Sequence, residues 1–180
     1  METKIFNGKQ IKIRQLSKKD LINVKRLQDF INFLIEEGAQ ILFNRKFSIK
    51  EERNWIEKQL KRIRNYKTVL LIAEDNDKIV GTIGINLKIG RQSHIGEFGI
   101  TIIKGHRGVG LGSYLIDKII KLAKKELKPR PKFIRLNIFS TNKPAIELYK
   151  KFGFKIAAKI PKQFEFKRKL VNELIMLREI

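Results

Sequence analysis

The spacing of apolar residues changes along the chain between the repeat of a strand and the repeat of a helix. Ile11–Gln15 alternates and predicts a short strand. Two helical stretches follow, with apolar residues every three or four positions over residues 21–34 and 55–63. Ser17 or Asp20 is expected to cap the first of them, because a short polar side chain can accept from the free N–H groups of a first turn.

The middle of the chain returns to strand patterns. Residues 68–73 form a continuous apolar run, which predicts a strand buried on both faces. Residues 79–87 and 95–103 predict two further strands. A glycine-rich turn then leads into a helical pattern over residues 111–127, which ends before two prolines.

The last third predicts one more strand, a short helix and a hairpin. The strand covers residues 133–139, and Asn142 caps a helix that Gly153 closes. Residues 154–160 and 173–177 are predicted as final strands, joined by a hairpin completed by residues 164–171. The chain is therefore predicted as a single α/β domain, residues 1–180, with a mixed sheet flanked by helices.

Composition narrows the classes of function. There is no cysteine, hence no disulfide and no thiolate metal site, and no apolar run long enough to span a membrane. The N-terminal residues do not resemble a secretory signal, so a cytoplasmic location is expected. The formal net charge of +22 fits an anionic partner such as nucleic acid, or a solvated Lys-rich surface, and the even spread of basic residues favours the surface.

The turn 107-RGVGLGS-113 has the composition of a phosphate-binding loop. A P-loop requires Lys after its last glycine, but Ser113 follows Gly112 here. A dinucleotide fingerprint begun at Gly108 requires glycine at position 113 and a carboxylate after the next strand, and both are missing. The remaining frame, Arg-x-x-Gly-x-Gly from Arg107, would point successive N–H groups at an anion beside a helix N-terminus.

That turn resembles the acetyl-CoA pyrophosphate loop of the GNAT (Gcn5-related) N-acetyltransferase superfamily. A second motif one strand later strengthens the resemblance, because 142-NKPAIELYKKFGF-154 is similar to the family pattern Asn-x-x-Ala-x-x-Leu-Tyr-x-x-x-Gly-Phe. The resemblance is closest to the branch of ribosomal-protein, protein-lysine and polyamine acetyltransferases. It implies a mostly antiparallel central sheet, splayed between the strands at residues 95–103 and 133–139.

The resemblance also implies roles for individual residues. An alkyl ammonium must lose a proton before it attacks a thioester, and Glu97 is the expected base, with His94 as runner-up and a water chain as the alternative. Tyr149 is the expected acid for the CoA thiolate. No metal site is expected. The expected acetyl-CoA contacts are Ile102, Ile103, Lys104, Arg107, Gly108, Val109, Gly110, Leu111, Gly112, Ser113 and Asn142.

The acceptor is expected to meet the segments 36–50 and 161–169. Glu36 and Glu37 in the first segment could attract a cationic amine, whereas the basic second segment disfavours a polyamine. A protein lysine or N-terminal amine is therefore the predicted acceptor, on a protein that could itself associate with nucleic acid. Small-molecule amine acetylation, a non-catalytic acyl-CoA-binding or RNA-associated module, and a homodimer are left open.

Overall fold

The structure, a computed structural model, describes residues 1–180. Eight strands form one sheet, and four helices pack on it. No helix has the length and apolar character needed to cross a bilayer. In chain order, the elements are β1 (Glu2–Phe6), β2 (Lys9–Gln15), α1 (Val24–Glu36), α2 (Ile49–Arg64), β3 (Thr68–Asp75), β4 (Lys78–Leu87), β5 (Ile95–Ile102), α3 (Leu111–Glu126), β6 (Phe133–Phe139), α4 (Lys143–Lys151), β7 (Lys155–Phe166) and β8 (Lys169–Glu179).

The sheet is antiparallel except at its centre, with the order β1-β2-β3-β4-β5-β6-β8-β7. β5 and β6 are parallel, and they pair only from Ile95 to Glu97 on β5 and from Phe133 to Arg135 on β6. Beyond these pairs, β5 stays with β4 and β6 stays with β8, so the two strands separate. The mixed, mostly antiparallel sheet and the splay predicted between these strands are confirmed.

The core lies on both faces of the sheet. A cluster of 25 buried residues joins α3 and α4 to one face, and a cluster of nine joins α1 and α2 to the other. β3 runs between the two layers, and every residue from Thr68 to Glu74 is buried. The continuous apolar run at residues 68–73 was correctly interpreted as a strand covered on both sides.

The N-terminal hairpin was not predicted. β1 pairs with β2 through a two-residue turn, in which Asn7 and Gly8 both have positive φ angles, 49° and 78°. Asn-Gly is the sequence that a type I′ turn favours, since both central residues of that turn need φ > 0. That dipeptide between alternating residues was therefore a usable signal for a hairpin at this position.

The predicted cap of the first helix was wrong. Ser17 begins a single turn of 3-10 helix at Lys18–Leu21, and α1 starts only after Asn23. Asp20 is not free to cap α1, because its carboxylate accepts from both terminal nitrogens of Arg14, at 2.9 and 2.7 Å, and from the N–H of Ser17. The Asp20 carboxylate is therefore paired with Arg14 and buried at a position that precedes α1 in the chain.

Candidate active site

A cavity of about 710 Å³ occupies the space where β5 and β6 separate. Its walls come from five parts of the chain: the end of α1 with the following loop, the open part of β5, the glycine turn with the start of α3, α4 with its cap, and one residue of β7. The lining includes Ile100, Thr101 and Ile102 of β5, and Asn142, Leu148 and Tyr149 of the α4 region. The predicted site motifs therefore meet at one place.

The glycine turn forms an anion cradle at the N-terminus of α3. Gly108 and Gly110 have φ angles of 75° and 89°, and Gly110 is the N-cap residue of the helix. None of the backbone N–H groups of residues 108–113 donates a hydrogen bond to another backbone group in the turn or the helix cap. Unpaired donors at the positive end of a helix dipole are suited to a phosphate. Of the predicted cradle residues, Val109 and Leu111 place their side chains against the core, so only their N–H groups could serve an anion.

The neighbouring His106 anchors the turn to β3. Its Nε2 lies 2.8 Å from Oδ2 of Asp75, and its ring is mostly buried. His106 does not line the cavity, so its side chain holds the glycine turn in place from the side that faces away from the cavity.

Arg107 is engaged by a carboxylate that the sequence did not assign to the cofactor loop. The Arg107 guanidinium pairs with Glu37, and its Nε donates to the carbonyl oxygen of Ile102 at 2.5 Å. Glu37 also accepts from the N–H of Lys104 at 2.9 Å, and its side chain is only 9% exposed. Glu37 was predicted to attract the acceptor amine. Its carboxylate already makes two contacts that hold the loop after α1 against the cofactor loop, so an acceptor amine would compete with these contacts.

The end of β5 offers backbone groups to the cavity. Ile103 donates its N–H to Val80 of β4 at 3.0 Å. Because hydrogen-bonding direction alternates along an antiparallel pair, the N–H groups of Ile102 and Ile100 point away from β4, toward the cavity. Ile102 thus lies where the sequence predicted it, whereas Ile103 and Lys104 have their N–H groups occupied and do not line the cavity.

Tyr149 and Asn142 are held by α4. Asn142 caps the helix, with its Oδ1 accepting from the N–H of Ala145 at 3.4 Å. Tyr149 is 7% exposed, and its ring packs edge-on against Phe98 with centroids 5.7 Å apart. Burial raises the pKa of the Tyr149 phenol well above its ordinary value, so the hydroxyl stays protonated and able to donate.

Glu97 lies outside the cavity lining. It is on the part of β5 that still pairs with β6, its side chain is 48% exposed, and Nζ of Lys88 is 3.8 Å from one of its oxygens. His94, at the start of the same strand, also does not line the cavity and stacks edge-on with Phe133 at 6.4 Å. The structure therefore does not bring either expected base to Tyr149 and the glycine turn.

The cavity lining contains two carboxylates, and both have cationic partners. Glu37 pairs with Arg107, and Glu147 accepts from Nζ of Lys150 at 2.9 Å. Gln40, in the loop after α1, donates to the hydroxyl of Thr141 at 2.7 Å and so closes this loop over the end of β6. No group of three or more His, Cys, Asp or Glu side chains is arranged to bind a metal ion.

Comparison with known proteins agrees with this geometry. Residues 34–154 match the family model described as "Acetyltransferase (GNAT) family". An L-amino acid N-acetyltransferase, AaaT, of Escherichia coli K12 is 34% identical over 87 residues, which are 48% of this chain and 52% of that protein. An N-alpha-acetyltransferase of Sulfurisphaera tokodaii is 25% identical over 104 residues, 52% of this chain and 60% of that protein. The chain thus spans little more than half the length of these curated relatives.

Solved structures match over nearly the whole chain. An acetyltransferase of the GNAT family from Streptococcus pneumoniae superposes with a TM-score of 0.81 at 25% identity. The match covers 94% of this chain and 99% of that one.

Proposed function

The chain belongs to the acetyltransferase (GNAT) family, and we propose that it transfers the acetyl group of acetyl-CoA to the α-amine of an amino acid or a peptide N-terminus. One observation carries this proposal: a single cavity contains an anion cradle, two unpaired strand N–H groups and a buried tyrosine hydroxyl. Acyl transfer from a thioester needs all three, for the phosphates, the developing oxyanion and the leaving thiolate.

Acetyl-CoA fits the residues that line the cavity. The N–H groups of residues 108–113 would hold the pyrophosphate, because they are unpaired and lie at the start of α3. The open edge of β5 would pair with the amides of the pantetheine arm, as an added strand does. Asn142 lines the same wall and would contact that arm.

The missing base favours an α-amine over a lysine. The α-amine of a peptide N-terminus has a pKa near 7.7, so about one molecule in six is neutral at pH 7, whereas a lysine with a pKa near 10.4 is neutral in only about one molecule in 2,500. A cavity whose carboxylates are both paired offers little help in removing a proton. An acceptor that is already partly neutral needs only water to take the proton that is lost after attack. The names of the two curated relatives, one acting on L-amino acids and one on N-alpha amines, support the same class.

The proposed reaction uses the residues as follows. The amine nitrogen attacks the thioester carbonyl, and the N–H group of Ile100 donates to the oxyanion, while that of Ile102 pairs with the pantetheine arm. The C–N bond forms first, and the C–S bond breaks as the tetrahedral intermediate collapses. The amine proton passes to water, and the Tyr149 hydroxyl gives a proton to the thiolate and regains one from water. Glu97 stays a predicted base that would have to act through water from outside the lining.

Two measurements test the proposal. Acetyl-CoA should raise the unfolding temperature in a saturable way, because a ligand that binds only the folded state stabilises it. Release of free CoA thiol should then follow on adding amino-acid amides or short peptides, and more slowly with spermidine or with Nα-blocked lysine. Stabilisation without thiol release from any amine would indicate a non-catalytic acyl-CoA-binding module, and faster release with spermidine or blocked lysine would overturn the α-amine assignment.

A further inference from the structure

We infer that the acceptor carries an apolar side chain, and that Phe166 is the residue that selects it. The inference rests on the proposed function, since it concerns the acceptor end of the same cavity. It adds a side-chain preference that acetyl transfer to an α-amine does not require.

The acceptor end of the cavity carries four apolar side chains beside the polar residues Glu37 and Gln40. Leu34 of α1 and Ala39 and Ile41 of the following loop form one side, and Phe166 from the end of β7 forms another. These groups have no hydrogen-bonding capacity, so a side chain placed among them is recognised by the apolar surface it buries.

A cationic side chain has no partner there. Glu37 is committed to Arg107 and to the N–H of Lys104, and Glu147 is paired with Lys150. Bringing a second ammonium group into this space would remove its water without supplying a carboxylate in exchange. Polyamines and lysine side chains are therefore disfavoured, and apolar side chains are favoured.

Phe166 is held in position by aromatic packing. Its ring lies edge-on to Phe139 of β6, with centroids 5.7 Å apart. Phe139 is itself stacked on Phe164, with centroids 4.2 Å apart. The hairpin turn directly follows at Lys167 and Arg168, which both have positive φ angles, 51° and 61°. A ring on β7 that packs against an aromatic residue of β6 makes a rigid wall, and a rigid wall discriminates between side chains of different shape.

Phe164 provides a matched control for Phe166. The two residues are two positions apart on β7 and both pack on Phe139, but only Phe166 lines the cavity. Replacing either one by alanine removes a similar apolar area from the same aromatic cluster. Only the Phe166→Ala variant should change the acceptor.

The experiment compares the amides of leucine, methionine, phenylalanine, glycine and lysine, whose neutral carboxamides leave the side chain as the main difference. For the wild type, kcat/KM should be about 10²-fold higher for leucinamide than for glycinamide, with lysinamide close to glycinamide. In Phe166→Ala, this ratio should fall about tenfold through a higher KM for leucinamide, with an unchanged KM for acetyl-CoA. Phe164→Ala should keep the wild-type ratio.

Several results would overturn the inference. Equal kcat/KM across the amides, a preference for lysinamide, or an identical loss of selectivity in Phe164→Ala and Phe166→Ala would each show that Phe166 does not select an apolar side chain. Because the ratio of two acceptors is measured within one protein sample, partial unfolding of a variant cannot change it. If the wild type acetylated no amine at all, the proposed function would fail first, whereas acetylation without a side-chain preference would remove only this inference.

Discussion

The cofactor side and the acceptor side of the cavity are built from different kinds of sequence. On the cofactor side, the cradle consists of residues close together in the chain, and their backbone N–H groups are the proposed anion donors. On the acceptor side, the walls come from α1, the loop after it and the end of β7, which are more than a hundred residues apart. A short motif can specify the first arrangement, whereas only the folded sheet assembles the second.

The largest expected effect tests the cofactor side. Tyr149→Phe should lower kcat about 10²-fold, because a positioned acid contributes at least that much and the phenyl ring keeps the packing against Phe98. The stabilisation by acetyl-CoA should be unchanged. Tyr114→Phe is the matched control, since the Tyr114 hydroxyl donates to Glu2 at 2.6 Å and lies outside the cavity lining. Equal activities of the two variants would exclude Tyr149 as the acid.

Gly110→Ala should weaken acetyl-CoA binding about tenfold. A Cβ at this position meets no atom closer than 3.9 Å, so the expected cost comes from the backbone, whose φ of 89° an L side chain rarely adopts. Relaxation of that strain would turn the N–H groups of the cradle away from the phosphates. Thermal shift against acetyl-CoA concentration measures the change.

Gly90→Ala serves as the control for that variant. Gly90 also has a positive φ, 60°, and open space around it, but it does not line the cavity. It should lose stability without losing affinity for acetyl-CoA. If both variants kept the wild-type affinity, the cradle would not depend on the conformation of Gly110.

Glu37→Gln tests the connection between the cofactor side and the acceptor side of the cavity, because Glu37 joins the two. Loss of its charge should free Arg107 for the phosphates and tighten acetyl-CoA binding about fivefold, an effect of about 1 kcal/mol that is the usual net contribution of one hydrogen bond. The KM for the acceptor should rise, since the loop over residues 37–41 loses its anchor. Glu36→Gln is the control, because Glu36 pairs only with the exposed Lys46. A parallel loss of both affinities would mean that the Glu37 contact is structural and holds both sides together.

The sequence predicted the cofactor side more completely than the acceptor side. The turn from Arg107 to Ser113 and the cap at Asn142 are local features, and the structure brings both to one cavity. The pairing of Arg107 with Glu37 depends on how α1 crosses the end of β5, which no local pattern records. Glu97 was predicted from its strand position and the family resemblance, and neither reveals that β5 and β6 are still paired there.

The smallest expected effect on activity concerns Glu52, on the α2 side of the molecule. Glu52 is 6% exposed, and burial raises the pKa of its carboxyl to about 7. The folded state therefore holds this proton more tightly than the unfolded state does, so this group lowers the stability progressively as pH rises from about 4.5 to 7. Glu52→Gln should remove that loss, with a gain of at most about 3 kcal/mol at pH 8 and little change near pH 4.5. Urea unfolding at the two pH values measures the difference, and Glu57→Gln, an exposed site on the same helix, is the control.

Since Glu52 lies outside the cavity lining, the stabilised variant should keep the KM values for both substrates. A changed KM for the acceptor alone would show that the stability of α2 affects the acceptor side of the cavity.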